Sequence, residues 1–497
     1  MSALQCGASI SHPDDTTVLY RLKKWNTRIE SLSGFEARGI TRIPSDERQA
    51  PSKTGYLQML LLWFSANITI NNLAVGFTGP LLFQLGFLDS YTCSVFGAAL
   101  GAVSTAYMAT WGAQSGCRTM VIGRYFMGYY PSKICALLNI ILMVGYCTID
   151  CIIGGQVLSA VSGGSMTIAV GIVVVAFVVL IIAVFGLNVF HIYERFAWLP
   201  QLLVLFILFG SAAPYFATSL ASVGSSRQIA ANRLSFFSLC FYVPNSWAAA
   251  ASDFYVYYPE DTKKWKSFSL TYAGLVLSFS LVNMLGVGLA SGVATNPIWE
   301  SAYSISSGAL ITAGYGPLGG FGKFCAVIVA LGVIANNVPG TYSAALGCQI
   351  MGRYGKAIPR WVWAVVLVMV QLVCAVAGRN QLFIIFQNFL ALMGYWLMVM
   401  VCIVCEEHIL FRRRLGLGFD WTAWEDRSRL PLGIAACISF LIGWVGAILG
   451  MYQVWYVGPI AKLAGDSGAD VGMWVGCGLA IISFPPMRWL EMRVVGR

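Results

Sequence analysis

Apolar residues fill most of the chain from about residue 57 to residue 486, broken into runs of 18–30 by short polar segments. Runs of this length cross a hydrocarbon core about 30 Å thick, which takes about 20 residues of helix. The short alternating segments of a membrane barrel are missing, so the pattern predicts helices. Twelve are expected, at about 57–86, 90–114, 132–161, 166–189, 196–217, 233–257, 267–292, 320–346, 361–378, 382–406, 431–454 and 469–486. Residues 1–55 are polar throughout and read as a tail with no cleavable leader; 487–497 read as a second, shorter tail.

Composition removes the soluble alternative. Of 497 residues, 58% are hydrophobic and 10% charged, against about 25% charged in an average soluble domain. Charge then orients the chain. With the N-terminus and every even-to-odd loop placed in the cytoplasm, that side holds 26 of the 31 Lys and Arg residues; the exceptions are Arg227, Arg233, Lys323, Arg379 and Lys462. This is the positive-inside bias, with both termini cytoplasmic. The net charge of +10 is met by anionic lipid and calls for no nucleic acid. Fourteen cysteines are scattered without a disulfide framework. The Cys402–Cys405 pair near His408 reads as packing, and no metal site or cofactor is expected. His12, His191 and His408 all fall in polar segments. No nucleophile triad or phosphate-cradling loop is present, so an enzyme is not expected.

Spans 1–5 and 6–10 each make an odd number of crossings, so a second copy of the first set would be inverted. Such repeats mark secondary transporters, whose sites sit at interrupted helices near the midplane. The interruptions correspond. Span 1 holds Asn71, Asn72, Gly76, Gly79 and Pro80; span 6 holds Pro244, Asn245, Trp247 and Asp253. The third members match too, "GYCTIDCIIGGQ" in span 3 and "VIANNVPGTYSAA" in span 8. A five-plus-five inverted repeat follows, with repeat 1 at about 56–217, repeat 2 at about 233–406 and two added helices at about 431–486, together a transporter domain over 56–490. Gly97 and Gly101 in span 2 read as small-residue packing.

Asp150 is the chemical outlier. A carboxylate at mid-helix costs about 2.5–3.5 kcal/mol on insertion scales and usually marks an ion or substrate path. It can carry a coupling proton, accept hydrogen bonds from an amino-substituted ring, pair with a cationic ring, or simply bond nearby backbone. Tyr146 lies four residues earlier on the same helical face.

At these residues the chain resembles the fungal purine–cytosine permeases of the nucleobase–cation symporter family, as a divergent member. The similarity covers about 55–490 and is strongest in "GCRTMVIGRYFMGYYPSK" (116–133), "IIGGQVLSAVS" (152–162), "HIYERFAWLP" (191–200), "WAAAASDFYVYYPEDT" (247–262), "NNVPGTYSAALGCQIMG" (336–352) and "QNFLALMGYW" (387–396). It implies an all-α fold of the leucine-transporter type and proton-coupled import of nucleobases across the plasma membrane. The family's stacking tryptophan matches Trp247. Its span 3 tryptophan and asparagine positions hold Tyr146 and Asp150 here, and its span 8 pattern becomes Asn336, Pro339 and Gly340. Sodium-driven relatives place hydroxyl residues where this chain has Ile334 and Ala335, which favours the proton over sodium.

The expected substrate site is therefore Trp247, Tyr146, Asp150, Asn336, Asn337, Pro339, Gly340, Asn72 and Gly76. Rings would cover the flat face of a heteroaromatic guest and amides its edge, with Asp150 coupling the proton. Asp253, near the cytoplasmic end of span 6, is assigned to gating or capping. Core filling competes for Trp247 and interhelical bonding for Asn336 and Asn337. The Asn67–Ile68–Thr69 sequon is expected to be inert. The leading expectation is uptake of cytosine, adenine or hypoxanthine; pyridoxine is the alternative, and a non-transporting receptor on the same scaffold is the alternative of another class. The pattern leaves the oligomeric state open.

Overall fold

The computed structural model describes residues 39–48, 55–185 and 187–496, with side chains described except at 184, 185, 187–197, 383 and 387. Most of the tail assigned to 1–55, including His12, therefore lies outside the described residues, as do the side chain of His191 and most side chains of the 191–200 block. The described part of the tail is not free. Ile43 N donates to Gly116 O at 2.9 Å, and the Arg48 guanidinium donates to Ala113 O at 2.5 Å.

Span 1 is two helices, α1 (Leu57–Asn67) and α2 (Ile70–Leu81), bent by 57° at the break. Span 2 is α3 (Phe87–Ser115), and a short buried helix, α4 (Thr119–Met127), follows it. Then come α5 (Pro131–Val161), α6 (Ile168–Phe185) and α7 (Leu187–Ala212), which are spans 3 to 5. Span 6 begins as α8 (Ser226–Ser246) and changes into tight three-residue turns over Trp247–Ala249 and Ala251–Phe254. Span 7 is α9 (Lys264–Val293); α10 (Pro297–Ile305) and α11 (Ser307–Gly314) lie in the connection after it. Span 8 is α12 (Gly319–Gly332) joined to α13 (Ile334–Ile350). After α14 (Arg353–Ala357), span 9 is α15 (Arg360–Gly378). Span 10 is α16 (Leu382–Ile385), a widened turn, α17 (Ala391–Glu406) and a second widened stretch to Arg413. Spans 11 and 12 are α18 (Ile434–Gly450) and α19 (Gly472–Val495).

The chain is thus an all-α polytopic membrane protein of twelve spans. Seven unbroken segments are long and apolar enough to cross a membrane, and the bent pair of span 1 is an eighth. Spans 4 and 11 are shorter apolar helices. Spans 6 and 12 carry too many polar side chains to stand out by apolarity. In span 12 those polar groups are engaged: Glu491 accepts from Gly433 N and Ala435 N at 2.8 Å each, and Arg488 pairs with the fully buried Glu407 at 2.8 Å. α19 consequently continues as helix through residues that the sequence assigns to a C-terminal tail.

Two packed groups form the body. One gathers α1, α2, α3, α8 and α9, the other α5, α6, α13 and α15. Close approach in the first group depends on glycine. A Cβ at Gly101 would stand 2.2 Å from Phe241 O, and one at Gly76 would stand 2.9 Å from Asn283 O and 3.0 Å from the Cα of Gly286. These contacts let broken and unbroken spans lie against each other at backbone distance. The candidate site lies between the two groups.

Candidate functional site

The break in span 1 exposes backbone that has no neighbour in its own helix. In a membrane such groups must be met from inside the protein. Three side chains do so. Asn336 of α13 donates to Ala66 O at 2.8 Å, Gln201 of α7 to Ile68 O at 3.2 Å, and Asn72 of α2 to Asn67 O at 2.9 Å. Thr69 donates to the Asn71 side chain across the first turn of α2. Asparagines that looked like ligand groups in the sequence therefore also hold the break open.

Span 6 changes geometry beside it. Pro244 supplies no amide proton, and α3 ties down the backbone and side chain around it: Thr105 donates to Pro244 O and Ser104 to the Asn245 side chain, both at 2.6 Å. Four fully buried alanines, Ala248–Ala251, carry the chain on in tight turns. This places Trp247 at the end of α8, where its Nε1 donates to Asn67 Oδ1 at 2.9 Å. Trp63 packs edge-on against the same indole, ring centres 5.6 Å apart. Asn67, noted in the sequence only as part of a sequon buried in span 1, is the residue whose side chain accepts from the indole.

Trp247 and Tyr146 line one enclosed cavity between the two groups, together with Asn72, Asn336, Gly340 and Ser246; Met143, Cys147 and Val243 complete it. Tyr146 is itself backed by Phe389 of span 10, centroid to centroid 6.0 Å. The cavity holds about 10 Å³, on the order of one water. A ring requires the two groups to part.

The remaining expected residues stand elsewhere. Asn337 is spent on span 3, donating to Cys147 O at 3.0 Å and accepting from Thr341 at 3.1 Å. Gly76 faces α9 rather than the cavity, and Pro339 is buried within α13 without lining it. Asp150 is fully buried one turn beyond Tyr146 and is not part of the lining. Neither of its carboxyl oxygens has a hydrogen-bond partner among the described residues. Ser246, Cys147 and Met143 were not singled out from sequence; Ser246 precedes Trp247, and Cys147 lies one residue after Tyr146, which is the only signal the chain offers.

Asp253 lies toward the Lys/Arg-rich face. Its carboxylate accepts from Thr119 N at 2.7 Å and Thr119 Oγ1 at 3.0 Å, capping α4, and from Ser343 of α13 at 3.2 Å. Arg118 donates to its main-chain oxygen at 2.6 Å. One residue thus joins span 6 in the first group to α13 in the second.

Two broken spans meeting at a buried ring-lined cavity, within two packed helical groups, define a secondary transporter of the leucine-transporter type. Residues 43–458 match the family described as permeases for cytosine/purines, uracil, thiamine and allantoin, and the chain belongs to that family. Among relatives, the purine-cytosine permease fcyB of Emericella nidulans is 34% identical, over 95% of this chain and 91% of its own. The vitamin B6 transporter TPN1 of Saccharomyces cerevisiae is 32% identical, over 95% of this chain and 90% of its own. Among solved structures, the nucleobase-cation-symport-1 transporter Mhp1, closed with bromovinylhydantoin bound, matches with a TM-score of 0.64 at 13% identity, covering 92% of this chain and 96% of that one. At that identity the likeness is one of fold.

Proposed function

We propose that the chain imports a small nitrogen heteroaromatic of the nucleobase type, such as cytosine, adenine or hypoxanthine, together with a proton. One observation carries this reading: Trp247 and Tyr146 face a single closed cavity edged by the amides of Asn72 and Asn336. Aromatic rings give a flat guest about 1–3 kcal/mol per stacked base. Amides then read the guest's edge, where an unmatched buried polar group costs about 1–3 kcal/mol. The purine-cytosine permeases among its relatives support this class.

A second reading is vitamin B6. It is favoured by Asp150, an acid one turn beyond the lining where the family pattern has an amide, with no hydrogen-bond partner among the described residues; such a group suits a basic pyridine ring that reaches it once the groups part. The likeness to TPN1 supports it.

In either case Asp150 holds the coupling proton while the site is closed and gives it up when the site opens to water. By the positive-inside bias the Lys/Arg-rich face is proposed to lie in the cytoplasm, and the membrane is proposed to be the plasma membrane, with its anionic lipid. Labelled adenine, cytosine, hypoxanthine and pyridoxine, competed against one another in yeast lacking its own carriers, identify the substrate. Uptake should fall as external pH rises. Asp150→Asn should retain exchange of substrate but lose accumulation against a gradient; accumulation at the native level would remove Asp150 from coupling.

A further inference from the structure

On the Lys/Arg-rich face lies a second pocket, of about 490 Å³, that the transport cycle above does not use. Pockets that hold small molecules run to about 300–1,000 Å³. Its charge comes from three side chains on two elements, Lys264 at the first turn of α9 and Arg412 and Arg413 at the end of span 10, with His408 also in the lining. No carboxylate among the described residues lines it. Arg412 is partly neutralised, since its Nε lies 3.0 Å from Glu407, but Lys264 and Arg413 make no ion pair with a described residue. Both are exposed.

The other wall is aromatic. Phe419 and Trp421 stack on each other at 4.8 Å with planes 10° apart, and Trp111 meets Phe419 edge-on at 5.4 Å. Lys264 Nζ sits 4.4 Å above the Trp111 ring, and the Trp111 N–H has no acceptor among the described residues. Cations beside ring faces are the combination that holds an anionic group and a flat ring together. A bare inorganic anion has no use for the rings.

We propose that this pocket binds a phosphorylated heteroaromatic, its phosphate held by Lys264, Arg412 and Arg413 and its ring against Phe419 and Trp421. The site couples α9 to span 10, so an occupant clamps one packed group to a span outside it. The assignment goes beyond the transport reading and stands on this pocket's side chains alone.

The test measures binding and needs no transport. The purified full chain, in nanodiscs of uncharged lipid, is titrated calorimetrically with adenosine monophosphate and with pyridoxine 5′-phosphate. Adenosine, pyridoxine and inorganic phosphate serve as comparisons. At least one phosphorylated ring is expected to bind at least tenfold more tightly than its unphosphorylated form and than phosphate. Lys264→Gln combined with Arg413→Gln should weaken it tenfold or more, and Trp421→Ala should weaken it too, while binding of the transported heterocycle is unchanged. Binding no tighter than phosphate overturns the proposal. So does an effect seen only with a phosphoinositide in the nanodisc, which would make the occupant a lipid headgroup. Loss of central-cavity binding alone would count against the transport reading and leave this one standing.

Discussion

The Trp247 indole is oriented by a hydrogen bond to an amide as well as by packing against Trp63. Asn67 sits at the end of α1, so its side chain answers to the break in span 1 while its oxygen fixes a ring in span 6. Asn67→Ala should leave the fold standing, because Asn72 and Asn336 still serve the break, yet it should weaken substrate binding about tenfold, or about 1.4 kcal/mol. Competition binding on purified protein checks this; unchanged affinity would mean that the indole is held by packing against Trp63 alone. Asn72 and Asn336 were legible as candidate lining because polar positions stood out against apolar spans, whereas Trp247, Tyr146 and Gly340 were marked by the family resemblance; all five line the cavity. Asn337 was legible only as a member of the same cluster. Adjacent asparagines point in different directions from a helix, and nothing in the pair says which one meets the cavity and which one braces span 3. Asp150 announced itself by charge, but charge carries no information on whether a side chain reaches the lining.

At the level of elements, the close contact of α2 with α9 rests on the absence of side chains. Gly76 and Gly286 meet with a Cβ-sized gap already closed, and the Leu73 carbonyl lies 2.1 Å from where a Cβ on Gly286 would stand. Gly76→Val should push the two helices apart at a cost of about 1–3 kcal/mol, lowering the yield of folded protein in detergent and its melting temperature. A variant as stable as the parent would show that the contact can relax. The twelve spans and the breaks in spans 1 and 6 were readable because Asn, Gly and Pro interrupt runs that are otherwise apolar. α4, α10 and α11 were not. They are short, they lie in connections, and α4 is covered on all sides by the protein, so the alternation between a lipid face and a packed face never appears in its sequence.

For the whole molecule, Asp253 is the residue that links the two packed groups at the Lys/Arg-rich face. It ties span 6 to α4 and to α13 there, so opening on that face has to break these hydrogen bonds. Asp253→Ala should bias the carrier toward opening on that face. The measure is alkylation of Cys147, which lines the cavity, followed by mass spectrometry so that the other cysteines do not confuse the readout. Faster labelling from the Lys/Arg-rich side, and slower uptake, are expected; equal labelling from both sides would leave Asp253 a cap and nothing more. The small volume between Trp247 and Tyr146 has its own bearing on pharmacology. A closed space that admits a single solvent molecule charges every guest the same entry fee, the work of prising two helical bodies apart. Inhibitors should then gain most from stiff, flat shapes that wedge the seam, and bulky tails will select a carrier arrested half-open.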